Sequence, residues 1–352
     1  MKMKKFAYFF IPAIAVVATI YFLEFRNTSA FELPTKKGLR IATYNVYWLA
    51  EEIHDERKAN LQSVIKNLDA DIIGLQEVES LAALQSIFTD EWELGIMDDE
   101  EELQEVAIAV KKPLKIKSLE MLFTHEKFDY AFPNKRDLLK AVVGVPNGTE
   151  IICYVVHFKS RRGGRENTDD QRAIAASLIA AYVQMHSDHD LVVLMGDFND
   201  TPDDRSLNIL ETGNLLAEGR MENEEDIYFV NLCEPLWVND YVTFGLHTRA
   251  KGESFYPKVP GARKENDKWR GKTYRYPDDL SVTEIMFDQI LVNQQMNKLF
   301  AGKPLIYAGK DALNGSESVL AEELTGKVKF KYHGTLASDH LPVAADFRIN
   351  VN

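Results

Sequence analysis

The run Leu191-Val-Val-Leu-Met-Gly-Asp-Phe-Asn-Asp-Thr-Pro202 decides how the rest of the chain is read. Its first five residues are apolar and end at Gly196, the pattern of a short buried strand. The strand opens into Asp197, Phe198 and Asn199. Side chains alternate along a strand, so Asp197 and Asn199 are expected to point the same way from its carboxyl end. In α/β sheets that end is where ligands bind. A carboxylate beside an amide suits a phosphate ester: the acid handles a proton or a metal, and the amide fixes an oxygen. The same residues also make an ordinary Asx turn, so the stretch takes its meaning from its surroundings.

Working upstream, Leu39 to Val46 reads as a strand that carries Asn45 at its end. Arg57 to Leu68 follows with Leu61, Val64, Ile65 and Leu68 at helical spacing, and Ala70 to Val78 is a second apolar strand ending at Glu77. Strand, helix and strand in about 40 residues imply a layered α/β fold. Val106–Val110 is a further strand. Asn147-Gly148 reads as a hairpin turn between strands Ala141–Val145 and Ile151–Val156, and the return strand delivers His157. Beyond it a helix is expected, capped by Thr168 with Gln171 as its partner. Its expected apolar face is Ile174, Leu178, Tyr182 and Val183. Downstream of the opening run, residues 203–235 are polar and weakly patterned. Met286–Val292 is a strand containing Asp288, and Ser338-Asp339-His340 precedes a last strand toward Phe347. A carboxylate inside a strand needs a partner, and orienting His340 would give Asp288 one.

Cations gather in two places. Lys159, Arg161, Arg162 and Arg165, with Gly163 and Gly164, form the densest basic loop, and Arg172 lies in the first turn of the helix after it. With Arg136 these are candidates to reach a phosphate. The second place, residues 249–276, interleaves cations with Phe255, Tyr256, Trp269, Tyr274 and Tyr276, as a nucleic-acid or lipid-headgroup surface would. The acidic run 98–102 is read as a solvated loop. The 352 residues carry a formal net charge of −13, which argues against a broad phosphate-tracking surface but not against a local basic groove. Cys153 and Cys233 are the two cysteines; Cys153 is read as a buried small hydrophobe, and nothing in their spacing supports a bridge. At the N-terminus, basic residues precede Phe6–Leu23, 18 residues without a charge. Residues 1–26 are therefore expected to be a signal anchor, with a signal peptide cut near Thr28–Ala30 as the alternative, and residues 27–37 a linker. The remainder is expected outside the cytoplasm, either membrane-anchored or secreted.

Thr43-Tyr-Asn45, Leu75-Gln-Glu77, His157, Gly196-Asp-Phe-Asn199, Asp288 and Ser338-Asp-His340, in this order, resemble the endonuclease/exonuclease/phosphatase superfamily, the deoxyribonuclease I-like group. His157-Phe-Lys-Ser-Arg-Arg-Gly-Gly164 resembles its bacterial envelope or secreted nuclease-like branch. The resemblance covers residues 39–348 and implies a four-layer sandwich, two mixed β-sheets flanked by helices, over residues 38–352. It implies Mg²⁺, with Mn²⁺ or Ca²⁺ as alternatives, held by Glu77 with Asn45 and Asp339. It further implies that Asp197 orients or deprotonates water and that Asn199 holds a phosphate oxygen. His340, paired with Asp288, would act on the phosphate or as a base, and His157 would be an acid or phosphate ligand. The expected activity is metal-dependent hydrolysis of phosphodiesters, nucleic acid foremost. A lipid phosphodiesterase or phosphomonoesterase is the first alternative, with Trp237, Tyr241 and Phe244 suiting a lipid. A non-catalytic binding domain is the second, and the presence of every expected site residue speaks against it.

Overall fold

A computed structural model of the chain describes residues 33–97, 104–133, 136–161, 165–187, 190–217, 227–239, 241–244, 285–313, 315, 319–324, 327–332 and 334–351. The apolar segment 6–23, the acidic run 98–102, the glycines at 163 and 164, and the cation–aromatic stretch 249–276 lie outside them. Among the described residues no helix is long and apolar enough to cross a membrane.

Two six-stranded sheets carry the fold. The first contains β1 (Leu39–Leu49), β2 (Ile72–Val78), β3 (Trp92–Ile96), β4 (Glu105–Lys111), β11 (Leu305–Ile306) and β14 (Val343–Phe347), in the order β11-β14-β1-β2-β4-β3. The second contains β5 (Lys115–Leu122), β6 (Leu138–Gly144), β7 (Glu150–His157), β8 (Leu191–Asp197), β9 (Phe229–Asn231) and β10 (Asp288–Asn293), in the order β5-β6-β7-β8-β10-β9. Each sheet has one parallel pair, β1 with β2 and β7 with β8, and the other pairs are antiparallel, so both are mixed. A separate hairpin pairs β12 (Val319–Leu324) with β13 (Lys327–Tyr332).

The parallel pairs are bridged by helices, as parallel strands require. Between β1 and β2 runs α1 (Asp55–Leu68), capped by the His54 side chain and packed through Leu61, Val64, Ile65 and Leu68. It begins two residues before the apolar spacing places it. A second helix, α2 (Leu81–Ile87), starts under a Ser80 cap, its hydroxyl accepting from Ala83 N–H. Between β7 and β8 runs α3 (Arg165–His186). Two expectations for it are corrected. Thr168 is no cap but lies a turn inside, its hydroxyl donating to the Arg165 carbonyl. The packed face is Ala173, Ala176, Ile179, Ala180 and Val183, while Ile174 is exposed and Leu178 and Tyr182 are only partly buried. Small alanines let the helix lie close on the sheet, which a search for large apolar residues misses. The weakly patterned 203–235 region also holds regular structure: α4 (Arg205–Thr212), β9 and the short α5 (Glu234–Val238).

Alternation separates two cores. Tyr154 and Val156 of β7 and Val192 and Leu194 of β8 meet α3 and α4. Cys153, Val155, Val193 and Met195 take the opposite face. There the sheets meet: a Cβ on Gly74 of β2 would stand 3.1 Å from the Met195 side chain of β8. The layers are thus α1, sheet, sheet, and α3 with α4. Asn147-Gly148 turns the β6–β7 hairpin, with Gly148 at φ +90° and Val145 N–H donating to the Thr149 carbonyl. Cys153 and Cys233 are both free and buried.

Candidate active site

Topology alone gathers the expected residues. β1, β2, β7 and β8 end on the same side, in parallel pairs. β10 is antiparallel to β8, so its first residue, Asp288, lies opposite Asp197, the last of β8. His157 is opposite Asp197 on the other flank. β14 is antiparallel to β1, so the loop feeding it, with Ser338 to His340, arrives at the carboxyl end of β1. Its Ser338 hydroxyl donates to the Asn45 carbonyl at 2.6 Å and accepts from His340 N–H at 3.0 Å.

Local backbone departures finish the site. Gly74 faces Met195, so strict alternation would turn Glu77 away from the second sheet. A register irregularity between Leu75 and Val78 and a φ of +63° at Glu77 bring its carboxylate back. Glu77 Oε1 accepts from Asn45 Nδ2 at 3.2 Å, and Oε2 from Trp48 N–H at 3.1 Å. Asn199 sits at φ +50°, its N–H donating to Asp197 Oδ1 at 2.8 Å. The Asx turn and the site are therefore the same structure. Asn199 Nδ2 donates to the Phe158 carbonyl at 3.1 Å, so one of its two amide hydrogens already braces the loop.

Asp197 is the hub. Its Oδ2 accepts from Asn45 Nδ2 at 3.1 Å and stands 3.6 Å from His157 Nε2 and 3.9 Å from His340 Nε2. Burial, together with Asp288 and Glu77, outweighs the lowering by His340 and the Asn199 N–H and pushes its carboxyl up to about 7. His340 Nδ1 lies 2.7 Å from Asp288 Oδ2, as its position in the sequence implies. Burial opposes charge on this ring, but Asp288, Asp339 and Asp197 prevail and raise its pKa to about 10. That direction favours the charged ring, a form suited to stabilising negative charge. Asp339 joins through this ring, Oδ1 at 3.9 Å from His340 Nε2.

His157 has the opposite setting. Burial and then the Arg136 guanidinium hold its pKa well below the ordinary histidine value. Arg136 Nη1 is 3.2 Å from His157 Nε2. A guanidinium can only donate, so Nε2 accepts and the ring proton sits on Nδ1. In that state Nε2 is the acceptor that holds Arg136 at the cleft. Glu77 Oε1 is 3.8 Å from the same Nε2.

The basic loop divides. Arg136 reaches the site, its other arm on Gln104 Oε1 at 2.8 Å, and Lys159 is partly buried and near enough to His157 to disfavour charge on that ring. Arg161 and Arg172 are not offered to a substrate. Arg161 donates to the Asn199 carbonyl at 2.7 Å and pairs with Asp200 at 3.0 Å and with Asp204. Arg172 pairs with Asp200 at 2.8 Å and donates to the Lys159 carbonyl at 3.0 Å. Arg165 also pairs with Asp204. These buried pairs brace the site from behind. Similarly, Trp237 is buried with Nε1 donating to Asp203 at 2.6 Å, which takes it off any lipid-facing surface. Phe244 lies beside His340, ring centroids 4.9 Å apart.

Among the described residues no group of three or more His, Cys, Asp or Glu side chains forms a metal cage. The cleft gathers hard oxygen donors, with the Glu77 and Asp197 carboxylates both accepting from Asn45 Nδ2. That chemistry fits a divalent cation such as Mg²⁺, which takes one or two carboxylates and keeps its waters. Glu77 is the best-placed ligand. Asn45 presents Nδ2 to the carboxylates while Oδ1 accepts from Tyr47 N–H, so ligation by its oxygen requires the amide to turn over.

A model of the Endonuclease/Exonuclease/phosphatase family matches residues 42–340. Among curated proteins the sequence finds no match. The fold resembles that of D. rerio TDP2 complexed with a single-strand DNA product, at 17% identity and TM-score 0.52 over 89% of this chain and 98% of that one. It also resembles a Bacteroides thetaiotaomicron mannosyl-6-phosphatase, at 14% identity and TM-score 0.53 over 88% of this chain and 99% of that one.

Proposed function

We propose that this chain, which belongs to the endonuclease/exonuclease/phosphatase family, is a divalent-metal-dependent phosphodiesterase with nucleic acid as its first substrate class, working outside the cytoplasm. The observation that carries the reading is the convergence of Glu77, Asp197, His157 with Arg136, and His340 with Asp288 at one end of both sheets. A metal held by Glu77, with Asn45 and Asp339 near it, would neutralise charge on the phosphate. Asp197 takes or orients the proton of the attacking water. His340, held cationic by Asp288, steadies the developing negative charge. The Arg136 guanidinium, oriented by His157 Nε2, binds a phosphate oxygen, and Asn199 contributes its second amide hydrogen. Arg136 at His157, with Lys159 near the same ring, gives the cleft positive charge that favours a polyanion, while Arg161 and Arg172 pair with Asp200. One named fold neighbour is complexed with a single-strand DNA product and the other is a mannosyl-6-phosphatase, so the fold is compatible with either substrate class. The uncharged Phe6–Leu23 segment supports an exported, membrane-tethered enzyme.

The test is hydrolysis by the full chain with Mg²⁺ or with chelator, on linear DNA, RNA, sphingomyelin, bis(p-nitrophenyl) phosphate and p-nitrophenyl phosphate. Metal-dependent cleavage of nucleic acid that salt suppresses is the expected result. Cleavage of the lipid or the monoester alone would replace the nuclease reading, and turnover unaffected by chelator would refute the metal.

A further inference from the structure

Arg57 is fully buried at the start of α1, and its guanidinium points at backbone. Nη2 donates to the Val46 carbonyl at 2.7 Å and also to that of Tyr47. Nη1 reaches the Trp48 carbonyl at 3.4 Å, and Nε the Ala337 carbonyl at 3.3 Å. Three of these carbonyls follow Asn45 directly, and the fourth precedes Ser338, Asp339 and His340. One side chain thus holds the irregular end of β1 and the loop before β14, which carry opposite halves of the site.

The first segment, the irregular end of β1 between Asn45 and Leu49, needs holding. Tyr47 and Trp48 are consecutive residues in the left-handed region, at φ +49° and +50°. Side chains disfavour that region, and two in succession persist only when their surroundings fix them. The strained turn also delivers the Trp48 N–H to Glu77 Oε2 and the Tyr47 N–H to Asn45 Oδ1. Ser338 makes a second stitch between the same loops, through the Asn45 carbonyl.

We propose that Arg57 is the positioning residue that sets the Asn45–Glu77 side of the site against the Asp339–His340 side, with Ser338 as its auxiliary. A rigid fork of donors is what spans four carbonyls; a lysine ammonium, compact and with three donors, cannot span them. The inference rests on the functional reading given above, in that the loops matter because they carry the site. Its test therefore includes a measurement that needs no activity.

Hydrogen exchange by mass spectrometry on the full chain, for Arg57→Lys and for Ser338→Ala, reads the tie directly. Both variants are expected to exchange faster in residues 45–49 and 336–341 together, with α1 unchanged. If Arg57 only anchors its helix, faster exchange confined to α1 will overturn the proposal, as will exchange in both loops like that of the unmodified chain. On bis(p-nitrophenyl) phosphate, kcat of Arg57→Lys is expected to fall about 100-fold with KM little changed, the cost of misplacing groups by about 1 Å. Unchanged kcat with both loops loosened would also overturn it. An unmodified chain that hydrolyses nothing would refute the function, while the exchange data would still decide the tie.

Discussion

Asp204→Asn keeps the shape of a buried side chain and removes its charge. Asp204 pairs with Arg161 and Arg165 and accepts from Thr201 N–H at 2.7 Å and the Thr201 hydroxyl at 3.0 Å. Burial works against its ionisation, but Arg165, Arg161 and the Thr201 N–H together hold its carboxyl down at about 2. An ordinary aspartate titrates near about 3.9, so ionisation of Asp204 favours the folded state at neutral pH. Removing one side of a buried ion pair typically costs about 3–5 kcal/mol. Because the folded pKa is lowered, the contribution is complete above about pH 4 and disappears as the pH falls toward 2. Urea unfolding of the full chain at pH 7 should therefore place Asp204→Asn about 3–5 kcal/mol below the parent. Between pH 4 and 2 the gap should close, since the variant lacks the proton uptake that weakens the parent. A variant within about 1 kcal/mol at pH 7, with the parent's acid slope intact, would refute this account of the Arg–Asp network.

Gly196→Ala should cost about 3 kcal/mol or prevent folding, because φ is +154° there and a Cβ would stand 2.0 Å from the Val156 carbonyl; thermal unfolding checks it. Cys153 and Cys233, buried and with their thiols pushed up to about 12, should resist a thiol reagent at pH 7 until denaturant is added. Immediate labelling of the folded chain would contradict that. Asp288→Asn should lower kcat by about 10²–10⁴-fold, since His340 loses the carboxylate 2.7 Å away that keeps it charged and oriented; steady-state kinetics decide.

The parts of the site that were legible in the sequence lie at strand ends. Apolar runs closed by Asn45, Glu77, His157 and Asp197 announce both the strands and their polar tips, and the need of Asp288 for a partner points to His340. Where the sequence reading failed, the deciding fact was a contact between distant segments or a single dihedral angle. Arg161 and Arg172 look like phosphate ligands in a basic loop until Asp200 and Asp204 arrive from beyond β8 to engage them. Glu77 reaches the site because of a positive φ that alternation cannot anticipate. Arg57 escaped notice although a signal was there. It precedes Leu61, Val64, Ile65 and Leu68 on one helical stripe, so an arginine was occupying a core-facing position. A cation placed there needs buried acceptors, and the carbonyls of two site loops provide them.

The most direct test of the central claim compares the unmodified chain with Asp197→Asn and His340→Gln, each shown to be folded, on whichever phosphoester the full chain cleaves in Mg²⁺. The account predicts that each substitution removes at least about 100-fold of kcat. Parent-like turnover by either folded variant would place the chemistry elsewhere and contradict the assignment of this cleft.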